Sequence, residues 1–321
     1  MKKLIAVAVL GALAAPAFAD SGNVTISGYM RGGLQFLNKQ ATGKNVRETR
    51  VDGRGQIQFN MSEDLGNGLT AVGQIRSRFA VDGSGKDEGG TDRTGQFGNH
   101  NTWVGLKGSF GQVRLGNGED NFGDGKHDNL ELYGDELHGR FSDSFTSNMI
   151  RYDMPAMGGF TGSLQWSTKE DKTTSFRGTT ETSVRVDYDA ANWDVGAAYL
   201  RQKNSGGSAN TWQVTGGVKF GDWAFGAEYQ QWKPSNLASN QRKAKAFTLY
   251  AGASFGKFDF QIQAGRLKNK GYAENVKKST WSVGLNYNLS KRTKFFTEYI
   301  RNKVTDTSAE TKFFVGMKHS F

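Results

Sequence analysis

The residues best placed to do chemistry are fixed charges of opposite sign. Between residues 117 and 146 stand Glu119, Asp120, Asp124, Asp128, Glu131, Asp135, Glu136 and Asp143 against only Lys126 and Arg140, the most acidic stretch of a chain whose formal charge is +10. Earlier in the chain, Arg31, Arg54, Arg76, Arg78 and Arg114 recur in segments that alternate polar and apolar residues. Arginine keeps its charge at any physiological pH, and its planar donor fork holds an orientation. Acid and base opposed across a narrow aqueous gap would set up a transverse field that orders water and favours polar over apolar solutes. Bond-making chemistry has less to work with. The four histidines, His100, His127, His138 and His319, sit in no nucleophile motif, and there is no cysteine. The Asp and Gly residues of 82–92 and 120–128 miss the spacing of a calcium loop, so neither a metal nor a cofactor is expected.

Such charges need a scaffold that turns one set of side chains inward. From Asn23 to Leu37, Val24, Ile26, Met30, Leu34 and Phe36 share one parity, while Thr25, Ser27, Arg31 and Gln35 share the other. This period of two is that of a β-strand with one apolar and one polar face. It recurs where Ile57 and Phe59 oppose Arg54, Gln56 and Gln58, and where Ile75 and Phe79 oppose Gln74, Arg76 and Arg78. A soluble sandwich alternates too. The 43 Gly against three Pro agree with strands joined by many tight turns.

The connections alternate in length. Short turns fall at Asp64-Leu65-Gly66-Asn67-Gly68, Ser109-Phe110-Gly111, Ala190-Ala191, Gly221-Asp222, Phe255-Gly256-Lys257 and Ser290-Lys291-Arg292. Longer polar loops are expected near 38–48, 81–97, 117–146, 169–179, 203–210, 233–243, 269–277 and 303–310. This asymmetry is that of an up-and-down barrel with short periplasmic turns and long external loops, and it predicts sixteen strands with both ends of the sheet on the periplasmic side. An export signal is read in residues 1–19: Lys2 and Lys3, the apolar run Leu4 to Leu13, and Ala17-Phe18-Ala19 before Asp20. Its removal lowers the charge by two and leaves 20–321 as a single outer-membrane barrel. The remaining charge is spread along the chain among Asp and Glu, which argues against a nucleic-acid patch.

In Lys312 to Phe321, Phe313, Val315, Met317, His319 and Phe321 form one face, so Phe321 is expected to belong to the closing strand and to serve barrel closure and membrane insertion. Trp103, Trp166, Trp193, Trp212, Trp223, Trp281, Tyr287, Phe295 and Tyr299 lie near strand ends, where they would form interfacial girdles.

Several segments carry a resemblance. Val24-Thr25-Ile26-Ser27-Gly28, the turn from Ser62 to Leu69, Trp103 to Gly111, Arg151-Tyr152-Asp153-Met154-Pro155 with Gly162 to Trp166, and Val315 to Phe321 occur in the order found in the general porins of β-proteobacteria, including the neisserial type. The chain resembles that family over essentially its whole mature length. The resemblance implies an all-β, 16-stranded antiparallel transmembrane barrel, usually a homotrimer, whose long third loop folds into the lumen. It implies a general diffusion channel for ions and small hydrophilic solutes, set among outer-membrane lipid and lipopolysaccharide. The five arginines named above would be the basic wall of the pore, and Glu119, Asp120, Asp124, Asp128, Glu131 and Asp135 its acidic loop. Two positions depart from the family pattern: Asn117 and Gln56 stand where basic residues are common. The alternatives are a solute-specific channel, which would line its lumen with a track of aromatics where only Tyr29 and Phe314 take that parity here, and a non-channel adhesin, which needs no inward loop.

Overall fold

The computed structural model describes residues 22–41, 44–83, 97–119, 121–122, 127, 130–131, 145–167, 180–204, 207–234, 243–270 and 277–321. The proposed signal segment lies outside them. Sixteen strands follow in chain order: β1(Asn23–Ala41), β2(Lys44–Gly66), β3(Leu69–Ala80), β4(Thr102–Gly108), β5(Gly111–Glu119), β6(Phe145–Asp153), β7(Phe160–Ser167), β8(Thr180–Asp189), β9(Trp193–Asn204), β10(Gly207–Phe220), β11(Trp223–Pro234), β12(Lys243–Phe255), β13(Phe258–Lys270), β14(Lys277–Asn288), β15(Thr293–Val304) and β16(Glu310–Ser320). Each pairs antiparallel with its sequence neighbours, and β1 pairs with β16, so the sheet closes on itself. Closure leaves no edge whose backbone groups would go unpaired in hydrocarbon. Residue 321 extends the seam: Phe321 N–H donates to the Gly28 carbonyl and Gly28 N–H to the Phe321 carbonyl, both at 3.0 Å.

The side-chain distribution is inverted relative to a soluble protein. Gln230, Thr248 and Ser282 are fully buried, while Val24 is 62% and Trp212 56% exposed. Pleating puts the two sets on opposite faces of one sheet, so the exposed apolar face is the one that meets lipid and the buried polar face is the wall of the interior. All the aromatics assigned to the girdles take the outward parity except Trp103, which points inward. Its neighbours Val104 and Leu115 hold the outward positions. Four further aromatics share the inward parity with Tyr29 and Phe314, namely Trp103, Trp232, Tyr250 and Phe296. Phe296 stacks on Phe314 with ring centroids 5.3 Å apart.

The expected loop near 38–48 is mostly strand. β1 runs to Ala41 and β2 starts at Lys44, with Lys39 Nζ 3.6 Å from Glu48 across the pair. Likewise only 205–206 separate β9 from β10. Polarity does not by itself mark a loop, because cross-strand charge pairs also stabilise exposed ladder. At the short-turn end, the turn after β2 is built by Asn67 and Gly68, with φ of 53° and 75°, and Asp64 Oδ1 accepts from Gly66 N–H at 2.9 Å. Two positive φ values in succession are what a two-residue hairpin turn requires.

Candidate functional site

Register places most of the inward-facing cations on one arc of the wall. Lys294 lies directly opposite Lys318, Lys318 opposite Arg31, and Arg31 opposite Arg54, forming a single row from β15 through β16 and β1 to β2. Arg78 and Arg76 continue it on β3, opposite Gln56 and Gln58, and Arg114 on β5 lies opposite Arg151 on β6. All five arginines expected from the sequence therefore face inward, on β1, β2, β3 and β5. Sequence reasoning missed Arg151, Lys294 and Lys318. The signal for them is present in the period-two pattern of β6, β15 and β16.

Like charges opposed across a ladder repel, so the row needs counter-charges. Arg76 Nη1 lies 3.1 Å from Glu119 Oε1, and its Nε donates to Gln58 Oε1 at 2.7 Å. Asp153 accepts from Arg114 and Arg151, both at 2.8 Å. The Arg114 guanidinium also sits 5.0 Å from the Trp103 ring centre, a cation–π contact that explains the inward tryptophan. Arg54 Nε donates to the Tyr29 hydroxyl at 3.2 Å, and Arg78 Nε to Gln56 Oε1 at 3.1 Å.

The deepest counter-charge comes from the long connection between β5 and β6. The Glu131 carboxylate lies 2.8 Å from Lys294 Nζ, 3.0 Å from Lys318 Nζ and 3.2 Å from Arg31 Nη1. Arg31 also donates to the Glu131 carbonyl, and Glu131 N–H donates to Glu298. Burial alone would raise the Glu131 pKa; attraction from Lys318, Lys294 and Arg31 outweighs it and holds the group down at about 2.

Other described residues of this connection touch the rest of the wall, on β7 to β11 and β14. Asn121 donates to Ser183 at 2.9 Å and accepts from Ser163, and its carbonyl accepts from Arg185 at 3.1 Å. Arg185 is held by both Asp187 oxygens, at 2.6 and 2.7 Å. Phe122 is buried with Ala198 and Leu200. The His127 ring lies on the paired glycines Gly217 and Gly226, where any Cβ would overlap it, and its Nε2 is 3.2 Å from Asp194. Leu130 occupies the space over Gly284. Of the six acids expected from the sequence, Glu119 and Glu131 thus meet the basic arc. Asp120, Asp124, Asp128 and Asp135 lie outside the described residues.

A closed barrel with an apolar outer face and fixed charges within belongs to the class of membrane-spanning β-barrels. The family model for Gram-negative porins matches residues 6–307, and the chain belongs to this family of outer-membrane proteins. It is 31% identical over 196 residues to the major outer membrane protein P.IB of Neisseria gonorrhoeae, covering 53% of this chain and 49% of that protein. It is 29% identical over 205 residues to protein P.IA of Neisseria meningitidis serogroup C, covering 55% and 49%. The chain thus spans about half the length of the curated relatives it matches. Among solved structures, the fold is similar to an anion-selective porin from Comamonas acidovorans, with TM-score 0.73, 20% identity, and coverage of 94% of this chain and 100% of that one. It is also similar to Salmonella typhi OmpF in complex with daunomycin, with TM-score 0.74, 16% identity, and coverage of 93% and 97%.

Proposed function

We propose that this chain forms a water-filled general diffusion channel for ions and small hydrophilic solutes, a channel rather than an enzyme, assembled as a homotrimer among outer-membrane lipid and lipopolysaccharide. The observation that carries the reading is the inward face. It is largely polar, most of its cations are gathered on one arc, and residues of the β5–β6 connection reach both that arc and the wall across from it. Those contacts support a loop folded into the lumen, where it narrows the pore and sets loop carboxylates against Arg31, Arg54, Arg76, Arg78 and Arg114. Asp120, Asp124, Asp128 and Asp135 would add to the acidic side. Residues 1–19 would be removed on export, leaving Asp20 as the first residue.

The test is a planar-bilayer recording of the purified protein in a salt gradient, with Arg76, Arg78 and Arg114 changed together to glutamine. The expected result is well-defined conductance steps in both proteins and a reversal potential displaced toward cation preference in the variant. An unchanged reversal potential would remove these arginines from the constriction. An adhesin would give no conductance either before or after deletion of 121–143.

A further inference from the structure

The inward aromatics of the strands differ in what they touch. Phe296 stacks on Phe314 and both are buried, and the Tyr250 ring packs 6.1 Å from that of His127. Tyr29 and Trp103 instead stand beside cations of the basic arc. Tyr29 lies directly opposite Gln56 on β2 and Ser320 on β16, and one step along the same parity Arg31 lies opposite Arg54 and Lys318. Tyr29 therefore has a cation on each diagonal, and both lean onto it. Arg54 Nε donates to its hydroxyl at 3.2 Å, and Lys318 Nζ lies 4.4 Å from its ring centre. Trp103 repeats the arrangement at the other end of the arc. Arg114 faces Gly105 across the ladder, two residues from Trp103, and its guanidinium lies 5.0 Å from that ring centre.

Cations directly opposed across a ladder repel, and diagonal positions lie about 7–8 Å apart. Leaning toward Tyr29 carries the heads of Arg54 and Lys318 away from Arg31, whose own guanidinium goes to Glu131. A ring face attracts a cation through its quadrupole, and a phenol oxygen accepts from a donor. Neither contact adds charge. Glu131 holds cations and cancels part of their field, whereas an aromatic holds them and leaves the field intact. We propose that Tyr29 and Trp103 are positioning residues for the ion preference of the pore, Tyr29 setting where the Arg54 and Lys318 charges stand and Trp103 where that of Arg114 stands. The proposal rests on the channel reading and gives the inward aromatics beside the arc a role other than a track for solutes.

Reversal potentials of the purified full-length protein are recorded in planar bilayers across a salt gradient at low ionic strength. A unit charge shifted from about 6 to about 9 Å from a passing ion changes the anion-to-cation permeability ratio about twofold at about 10 mM salt. Freed from Tyr29, the heads of Arg54 and Lys318 turn toward the water of the lumen. Y29L should therefore raise the ratio about twofold, and Y29F, which keeps the ring beside Lys318, should raise it by less. W103L should act in the same direction through Arg114, and W103F, which keeps a ring, should stay close to the parent. The charges themselves are the control: Y29L should change nothing further in an R54Q/K318Q background, nor W103L in R114Q. Should Y29L fail to fold, Y29F set against Y29F/R54Q carries the same comparison. A ratio unchanged or moved toward cations in Y29L and W103L, or shifts of equal size after the cations are removed, would overturn the proposal. A parent without conductance steps would remove the channel reading and this proposal with it, whereas a conducting parent with unresponsive variants would remove this one alone.

Discussion

Changing Glu131 to glutamine keeps the side chain's shape, turns one acceptor oxygen into a donor nitrogen and removes one charge from the centre of three cations. Taking the carboxyl from its ordinary 4.5 down to about 2 corresponds to about 3 kcal/mol of preferential interaction with the ionised form. The folded-state value is the depressed one, so this stabilisation is fully present above pH 4.5 and is lost as the pH falls toward 2. E131Q should therefore melt lower than the parent in detergent at pH 7, with the difference shrinking as the parent is acidified through that window. Its effect on permeation follows from Coulomb's law. An ion passing about 6 Å from the site loses about 0.7 kcal/mol of interaction in water. Screening at physiological salt reduces this to about 0.3 kcal/mol, so the anion-to-cation permeability ratio should rise about threefold. At 1 M salt the same calculation leaves less than about a 1.5-fold change. Adding Lys318→Gln removes the excess positive charge, so E131Q/K318Q should recover the parent selectivity without recovering the melting temperature. A reversal potential unchanged by E131Q at both salt concentrations would refute the claim that this cluster faces the permeation path, and an unchanged melting temperature would refute the anchoring.

Three further perturbations probe the positions around it. Gly226→Val puts a branched side chain where the His127 ring lies, and overpacking of this kind costs about 1–3 kcal/mol, so thermal unfolding should shift down and single-channel recordings should grow noisier as the loop contact fails. Arg185→Gln strips a two-point ion pair from Asp187 and a donor from the Asn121 carbonyl. Destabilisation of about 1–3 kcal/mol is expected, and protease cleavage within 123–143 should become faster. Deleting Phe321 removes two backbone hydrogen bonds to Gly28 at the seam, and refolding yield into detergent should fall while residual folded protein conducts normally; full yield would show that the seam closes without it.

The parts of this molecule that were legible in the sequence are those that depend on strand periodicity. Alternation is a local property, so the inward parity of Arg31 or Gln35 can be read from a dozen residues. Partnership is not local. That Lys294, Lys318, Arg31 and Arg54 form one row depends on the register of four strands and on closure of β1 against β16, and residue 31 meets residue 318 only because the sheet has gone full circle. Trp103 shows the same limit from another side. Its position near a strand end suggested a girdle, but its parity relative to Val104 turned it inward, under Arg114. The glycines that receive His127 carry no signal of their own, since nothing in a strand sequence tells a tight turn or bulge from a notch cut for a side chain far away in the chain.

The two charge patterns of the barrel follow from one constraint. In hydrocarbon a cation is costly, so cations on the outward parity are confined to the rim, where they reach head groups. On the inward parity the constraint is absent, and cations can sit at any height provided that something neutralises them. The strands themselves supply only part of that neutralisation. Asp153 serves Arg114 and Arg151, but the row from Lys294 to Arg31 has its acid from the β5–β6 connection, in Glu131. That dependence makes the connection part of the wall's electrostatic balance, so a basic arc of this density and a carboxylate-bearing loop reaching it must be gained or lost together. The same logic accounts for a carboxylate at position 131 in a protein that is basic as a whole.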